Sequence, residues 1–152
     1  MQTNTFVMLK PDALERNLVD EIIDYIKSFG FSINRLKEVI VNEDNIIKHY
    51  DDVIRRIGRN TFKKLVLDEF ENRKVIIIEL IKEGEDVVRF MRDLIGATDP
   101  VLARKETIRG KYGIDSLAIA RDENRMLRNL IHASESYEDV KREIDIWFNH
   151  HL

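Results

Sequence analysis

Apolar residues recur along the chain with two different periods, and these periods predict an alternation of strands and helices. Residues 5–10, rich in residues typical of strands and followed by Pro11, predict a first strand. Alternating apolar positions predict a second strand over residues 31–41, with a bulge at Leu36, where the alternation breaks. Residues 74–82 form the most apolar stretch and predict a central strand. Residues 126–133 predict a short last strand.

Apolar residues at helical spacing fill the intervals between these strands. Residues 13–29 predict one amphipathic helix that stops at Gly30, a residue type common just past helix ends. Further helices are predicted over residues 43–57, 61–71, 85–95 and 136–148. Without the extra helices the order is βαββαβ. The predicted fold class is therefore α+β, a ferredoxin-like sandwich with an antiparallel sheet and helices on its faces.

Length and composition restrict the class of protein. The chain has 152 residues, 43% of them hydrophobic, so we expect a single domain over residues 1–152. The 25 basic and 28 acidic residues nearly cancel and provide no overall field for nucleic acid or an anionic membrane. The chain has no cysteine, which excludes disulfides, thiol catalysis and cysteine-bound metals. No signal-peptide pattern or membrane-spanning stretch is found, so the cytoplasm is the expected location.

The chain has two prolines, Pro11 and Pro100, and a basic feature near each of them is a candidate for a functional site. Lys10 ends the first predicted strand, where its ammonium group would emerge, although a solvated lysine is the favoured interpretation from this residue alone. Residues 104–111 carry four cations against one acid, a local charge of +3 in a chain of formal charge −3. Arg109 offers a planar guanidinium group that matches phosphate oxygens, and Thr98 and Thr107 offer hydroxyl donors. This pattern suggests a phosphate site held by side chains, and a surface loop with chance basic residues is an equal alternative.

His132 lies near the end of the last predicted strand, beside small residues that leave room for a ligand. In a regular strand His132 would share one face with Leu130, and Asn129 would lie on the other. A neutral imidazole is a good nucleophile for phosphorus when a partner fixes one ring nitrogen, and Ser134 and Glu143 are near enough in sequence to do so. Taken alone, a lone histidine is more often a structural polar residue.

In this order, the clusters resemble the nucleoside diphosphate kinase family over essentially the whole chain. The matching segments are FVMLKPDA at 6–13, GATDP at 96–100, TIRG at 107–110, RNLIHAS at 128–134, and the pairs Glu143-Ile144 and Trp147-Phe148 of the last helix. The resemblance implies transfer of the γ-phosphate of a nucleoside triphosphate to a nucleoside diphosphate. It implies a ping-pong mechanism through phosphohistidine at His132.

The resemblance also implies a role for each matching polar residue. Ser134 and Glu143 would orient the imidazole, and Lys10 would serve both catalysis and phosphate binding. The residues assigned to the phosphates and sugar of the nucleotide are Lys10, Tyr50, Arg92, Thr98, Arg109 and Asn129. Phe62 would stack on the base, although its gap from Tyr50 is longer than usual and the family's Arg-Pro-Phe context is missing. Mg²⁺ is the implied cofactor, held mainly by the nucleotide phosphates and not by protein ligands.

The chain departs from the family pattern in three further places. Ala133 stands where the family usually has glycine, and Lys105-Glu106 stands where it commonly has Pro-Gly. The connection over residues 111–127 is much longer than usual. We expect that connection to pack as a short ordered excursion near the nucleotide site or a neighbouring subunit, and to supply no catalytic group. The resemblance further implies a homo-oligomer, a tetramer or hexamer built from dimers.

Two alternatives come from other classes of protein. A non-catalytic ferredoxin-like nucleotide-binding regulatory module would share the fold, but the presence of every polar position argues against it. A nucleic-acid-binding domain with the same strand order is disfavoured because residues 74–82 contain no aromatic side chain. We therefore expect nucleoside di- and triphosphates as partners, with no membrane and no specific nucleic acid.

Overall fold

The sheet that organises this protein has its two buried strands in the middle. The computed structural model describes residues 2–58 and 60–149. Within them β1 (Gln2–Leu9), β2 (Ser32–Ile40), β3 (Lys74–Glu83) and β4 (Ile131–Ala133) form an antiparallel sheet in the spatial order β2-β3-β1-β4. The predicted α+β, ferredoxin-like class is confirmed, and residues 74–82 do form a central strand.

Helices cover the sheet, and more of them are present than the apolar periods predict. Their bounds are α1 (Pro11–Glu15), α2 (Val19–Lys27), α3 (Glu43–His49), α4 (Asp51–Ile57), α5 (Asn60–Phe70), α6 (Val87–Ile95), α7 (Ile108–Tyr112), α8 (Leu117–Asp122) and α9 (Tyr137–Phe148), with a 3₁₀ turn at Pro100–Leu102. Among the described residues, no helix combines the length and the apolar character needed to cross a bilayer.

Two predicted helices are each divided in two. The prediction of one helix over residues 13–29 was wrong because Asn17 adopts a left-handed conformation, with φ of 56°, between α1 and α2. Asparagine tolerates this conformation better than most residues. The helix predicted over residues 43–57 is divided at Tyr50, whose ψ of 10° separates α3 from α4. Because of this second break, Tyr50 lies between two helices and lines a cavity at the end of β1.

β1 is buried on both of its faces. Val7 and Leu9 belong to one apolar core and Phe6 and Met8 to the other, and all four are fully buried. This division follows from the alternation of side chains along a strand. α6 packs against β1 on the first side, through Met91, and α9 packs on the second. Lys10 is the first polar residue after this buried apolar run.

The last strand is shorter than predicted because its first half is irregular. Leu130 has a φ of 77°, its side chain is fully buried, and its amide donates to Asp12 Oδ2 at 3.1 Å. This conformation reverses the facing of side chains before β4. The expectation that Leu130 and His132 share a face, with Asn129 on the other, was wrong: Leu130 packs in one core with Ile131 and Ala133, while Asn129 lines the same cavity as His132.

β2 lies at an edge of the sheet and is largely exposed, apart from Val39. Its register against β3 is interrupted between Ile33 and Arg35. The predicted bulge at Leu36 was therefore placed too late, since Leu36 pairs in register with Ile78. Leu36 is an apolar residue at an exposed position of this edge strand, with 46% of its surface exposed, so the apolar pattern does not follow burial there.

Candidate active site

One cavity of about 230 Å³ collects most of the predicted site residues at the end of β1. Eight of the ten predicted residues line it: Lys10, Tyr50, Phe62, Arg92, Thr98, Arg109, Asn129 and His132. The remaining two, Ser134 and Glu143, contact one another, and Glu143 contacts His132. Residues that come from seven separated parts of the chain thus meet in one place, while their individual roles remain predictions.

His132 is held by a buried carboxylate on α9. Its Nε2 lies 2.9 Å from Glu143 Oε1, and the Ser134 hydroxyl donates to the same oxygen at 2.6 Å. An ionised carboxylate only accepts hydrogen bonds, so Nε2 must carry the ring proton. The lone pair of His132 is therefore on Nδ1. Ser134 and Glu143 are both buried, which keeps water from competing for these bonds.

The imidazole of His132 is neutral at pH 7. Burial, followed by the positive charges of Lys10, Arg92 and Arg109, lowers the pKa of His132 below its ordinary value of 6.5. A ring whose lone pair is free at neutral pH can attack an electrophile without first losing a proton. The same cations that lower the pKa surround the space in front of the ring.

Lys10 is buried, so the interpretation as a solvated lysine at a strand end was wrong. Its ammonium group donates to Asn129 Oδ1 at 2.9 Å and to the carbonyl oxygen of Leu127 at 3.2 Å. Asn129 in turn donates from Nδ2 to the carbonyl oxygen of Thr98 at 2.9 Å. Burial lowers the pKa of Lys10 to about 8, which leaves the group mostly charged at pH 7.

Arg109 is fixed by backbone carbonyl groups. Its guanidinium group donates to the oxygens of Gly96 at 3.1 Å, Asn129 at 3.3 Å and Ile131 at 2.6 Å. A guanidinium group has five N–H donors, so two remain for a ligand in the cavity. Arg109 therefore has fewer donors for the predicted paired contact with phosphate than a free arginine has. The direction of the two remaining N–H groups is fixed before a ligand binds.

The turn before Arg109 is shaped by a helix cap and a glycine. Thr107 Oγ1 accepts from the Gly110 amide at 3.1 Å and donates to the Arg104 carbonyl oxygen at 2.6 Å. The prediction of Thr107 as a phosphate donor was wrong, because its hydroxyl caps α7. A Cβ atom at Gly110 would lie 1.9 Å from the Arg104 carbonyl oxygen, so only glycine fits there.

Only one cation of the basic cluster at 104–111 reaches the cavity. Arg104 and Lys105 are exposed, and the Lys111 ammonium group lies 5.6 Å from the centre of the Tyr25 ring. Arg104 instead lines a second depression, of about 670 Å³, which shares Arg92 with the cavity and has no histidine among its lining residues. Of the four cations, Arg109 is the one that lines the cavity, and its role in binding phosphate stays a prediction.

Arg92 brings a second guanidinium group from α6. It donates to the carbonyl oxygen of Ala133 at 3.1 Å and lies 3.8 Å from Glu135 Oε1, at the rim of the cavity. Ala133, at the position of the family's usual glycine, pairs with Val7 within β4 and is fully buried. The methyl group is accommodated because a strand conformation does not need positive φ.

The opposite wall is aromatic and apolar. The Tyr50 ring lies 5.6 Å from the Phe70 ring, and burial raises the pKa of Tyr50, so its hydroxyl remains a donor at neutral pH. Phe62, on α5, lines the cavity together with Val53 and Met126. The long gap between Tyr50 and Phe62 contains α4, which explains how the ring still reaches the cavity.

His49 is a supporting residue that the sequence did not reveal as such. Its ring is buried and lies nearly perpendicular to that of His132, with 4.4 Å between centroids. Trp147 Nε1 donates to His49 Nδ1 at 3.0 Å. The only earlier signal was the place of His49 next to Tyr50. A contact across 98 positions has no local sequence pattern.

Donor atoms of His49, His132 and Glu143 lie within 4.8 Å of one another, the spacing of a possible metal site. Because Trp147 is a donor, His49 Nδ1 must accept and Nε2 must carry the proton. His49 then has no free lone pair for a metal ion. Glu143 is committed to His132 and Ser134. In this arrangement His49 and Glu143 contact the imidazole of His132 and leave no set of ligands for an ion.

Comparison with known proteins adds a family to this geometry. The family model for nucleoside diphosphate kinase matches residues 3–152. A nucleoside diphosphate kinase of Trichodesmium erythraeum is 38% identical over 144 residues, which cover 95% of this chain and 86% of that protein. One of Methanosphaera stadtmanae is 34% identical over 150 residues, covering 98% and 88%.

Solved structures agree with these sequences. A transition-state mimic of nucleoside-diphosphate kinase from Borrelia burgdorferi, with bound vanadate and ADP, is similar with a TM-score of 0.88 and 30% identity, covering 99% of this chain and 90% of that one. An NDP kinase from Pyrobaculum aerophilum is similar with a TM-score of 0.85 and 30% identity, covering 97% and 96%.

Proposed function

This chain belongs to the nucleoside diphosphate kinase family, and from that membership we propose that His132 Nδ1 is the atom that carries the phosphate between nucleotides. The protein is a nucleoside diphosphate kinase, an enzyme that transfers the γ-phosphate of a nucleoside triphosphate to a nucleoside diphosphate. One observation carries the assignment. The hydrogen bond from Nε2 to Glu143 leaves Nδ1 with the lone pair, on a ring that lines the cavity.

In the first half of the reaction, the Nδ1 lone pair attacks the γ-phosphorus of the donor in line with the departing oxygen. The P–N bond forms as the P–O bond to the β-phosphate breaks, and the diphosphate leaves with the bonding electrons. The ring keeps its Nε2 proton, and the Glu143 carboxylate balances the positive charge that the ring acquires. A terminal oxygen of the acceptor diphosphate then attacks the phosphorus, which restores His132.

Lys10, Arg92 and Arg109 would stabilise the negative charge on the moving phosphoryl group. Each is held by protein oxygens before a ligand arrives, so little reorganisation is needed during the reaction. Tyr50, Thr98 and Asn129 would contact the phosphates and sugar, and Phe62 would stack on the base. These contacts leave the edge of the base unread, which favours broad nucleotide specificity.

Magnesium fits this cavity as part of the nucleotide complex. The walls present cations, amides and aromatic rings, and Glu135, with a side chain 71% exposed, is the one carboxylate among the lining residues. We propose that Mg²⁺ is held mainly by phosphate oxygens, and that it supplies neutralisation of the triphosphate charge. No residue of this cavity is assigned as a metal ligand.

The alternative function is a regulatory module that binds nucleotides without turnover. Such a module needs cations and an aromatic wall, but it has no use for a neutral imidazole held by a buried carboxylate and hydroxyl. That network argues for a nucleophile, and so for the enzyme.

Incubation with ATP labelled at the γ-phosphate separates the two functions. We expect a protein-bound label that is stable in alkali and labile in acid, as phosphohistidine is, and that passes to added GDP as labelled GTP. ATP bound at saturation without a protein-bound label would identify the regulatory module instead.

Replacement of Arg109 with lysine should lower kcat/KM by at least about tenfold, or about 1.4 kcal/mol of transition-state stabilisation. Lysine keeps the charge but cannot reach the carbonyl oxygens of Gly96, Asn129 and Ile131 together. Steady-state kinetics with ATP and a diphosphate acceptor measure the effect. Arg104→Lys, an exposed change beside the same turn, is the control and should match the parent. Equal kinetics for both variants would place the phosphate away from Arg109.

We propose that the protein is a single-domain homo-oligomer of the cytoplasm, assembled as a tetramer or hexamer from dimers. Exposed apolar side chains support an assembly, among them Ile40 on the edge strand β2, 62% exposed, and Leu102, 75% exposed. Light scattering on the purified protein measures the mass. A monomer at micromolar concentration would contradict the assembly.

A further inference from the structure

The irregular segment between α8 and β4 touches the cavity through its backbone. Residues 125–130 form neither helix nor strand. The carbonyl oxygen of Leu127 nevertheless accepts a hydrogen bond from Lys10 Nζ at 3.2 Å, beside the contact from Nζ to Asn129 Oδ1. An ammonium group has three N–H donors, so these two acceptors decide the direction of the third. The position of the Leu127 carbonyl therefore matters to the direction in which Lys10 presents its charge.

Asp115 fixes that segment from the start of the long connection. Its carboxylate accepts from Arg125 Nη1 at 2.7 Å, from Arg125 Nη2 at 2.9 Å and from the Arg128 amide at 2.8 Å. Arg125 Nη1 also donates to the carbonyl oxygen of Met126 at 3.0 Å. One carboxylate thus holds the residues on both sides of Met126 and Leu127, where no regular hydrogen-bond ladder does so.

These contacts are shielded from water. Asp115 is 6% exposed and the Arg125 side chain 16% exposed. Paired, charge-assisted bonds between a guanidinium group and a carboxylate are strong, and burial strengthens them. The bonds from Arg125 hold the pKa of Asp115 at about 2, so the carboxylate is charged throughout the neutral range. Arg128 is held further by buried Glu69, with Nε 3.0 Å from Oε2.

The tip of the connection has a different character. Residues 116–124 contain α8, where Leu117 and Ile119 are substantially exposed, and none of these residues lines the cavity. Met126 and Leu127 do line it. The excursion is ordered, but its carboxyl end reaches Lys10. The direct polar contact of this end with Lys10 is made by the Leu127 backbone carbonyl.

This inference rests on the proposed function: we propose that Asp115 is a positioning residue for phosphoryl transfer, which holds the Leu127 carbonyl against Lys10 and so directs the Lys10 ammonium group at the phosphate. Asp115 itself lies outside the cavity lining. Residues 115 and 125–128 serve the site, and the tip between them does not.

The test is a double-mutant cycle between Asp115→Asn and Lys10→Met. Asparagine keeps the shape of Asp115 but presents an NH₂ group or a neutral oxygen to Arg125. We expect the single-turnover rate of His132 phosphorylation at saturating Mg-ATP to fall by about tenfold, with ATP affinity changed by less than about twofold. In the Lys10→Met background, where the group to be directed is missing, Asp115→Asn should change the rate by less than about twofold.

Glu123→Gln is the matched control. Glu123 contacts the same guanidinium group, with Oε1 2.8 Å from Arg125 Nε, but its side chain is 55% exposed and its hydrogen bond goes to Arg125 and not to residues 126–128. We expect rates equal to the parent. Arg125→Lys is a second variant that keeps the charge and loses the paired bonds, and a fall of about threefold is expected. It carries the test if Asp115→Asn does not fold, as judged by thermal unfolding.

Two results would overturn the inference. An equal loss from Asp115→Asn with and without the Lys10 ammonium group would mean that Asp115 acts on the fold in general. Parent rates in folded Asp115→Asn, or in Arg125→Lys where only that variant folds, would mean that the Leu127 carbonyl needs no support. Failure of the parent protein itself to take up label would contradict the proposed function and not this role of Asp115.

Discussion

Replacement of His132 with alanine is expected to abolish the phosphoenzyme and to lower turnover by about 10⁵-fold or more, as loss of a nucleophile does in covalent catalysis. Neither of the other candidate nucleophiles in the cavity can substitute for it. The Lys10 amine is mostly protonated at pH 7, and burial raises the pKa of the Tyr50 hydroxyl. Labelling with γ-labelled ATP and steady-state transfer to a diphosphate measure the loss.

Nucleotide affinity distinguishes loss of chemistry from loss of the site. His132→Ala should bind ADP within about threefold of the parent, because the phosphate would be held by Lys10, Arg92 and Arg109. Calorimetric titration measures this affinity, and thermal unfolding checks the fold. A folded His132→Ala protein that still transfers phosphate at the parent rate would remove His132 from the mechanism.

Replacement of Lys10 with methionine should lower kcat/KM by about 10²–10³-fold, the usual cost of one preorganised charge-stabilising donor. Methionine has a similar length and is apolar, so the change leaves a buried position filled and removes a desolvated charge. We expect the variant to fold normally and to lose rate more than affinity. Single-turnover labelling of His132 gives the rate directly.

Lys64→Met is the control for this substitution. Lys64 lies on α5 near Phe62, but its side chain is 75% exposed and pairs with Asp68 on the surface. We expect parent kinetics from it. If Lys10→Met kept the parent rate as well, the ammonium group would belong to the structure of the loop and not to the reaction.

The sheet could be predicted because each central strand carries its own signal. The strand β3 is buried along most of its length, and its unbroken apolar run over residues 75–78 reports this directly. The four short motifs of the family also lie in continuous segments, and these contain five of the eight lining residues: Lys10, Thr98, Arg109, Asn129 and His132.

Other features depend on partners far along the chain and could not be predicted. Leu130 has a left-handed backbone, a rare state for leucine, next to a hydrogen bond from its amide to Asp12 118 positions away. The bonds of Arg109 go to backbone oxygens, which every residue type possesses, so no pattern of side chains could reveal them. The pair of Asp115 and Arg125 closes a loop whose charged residues look like any exposed stretch.

The pairing of β1 with β4 affects how the protein folds during its synthesis. Lys10 and Asn129 touch across 119 positions of sequence, and Glu143, which contacts His132, lies farther still along the chain. Chains emerge from the ribosome amino end first. The edge of β1 that pairs with β4 therefore stays uncovered until nearly the whole polypeptide has been made. Such long-range closure is the slow part of folding. If Glu143 orients His132 as proposed, the active site is complete only after the last helix has left the ribosome.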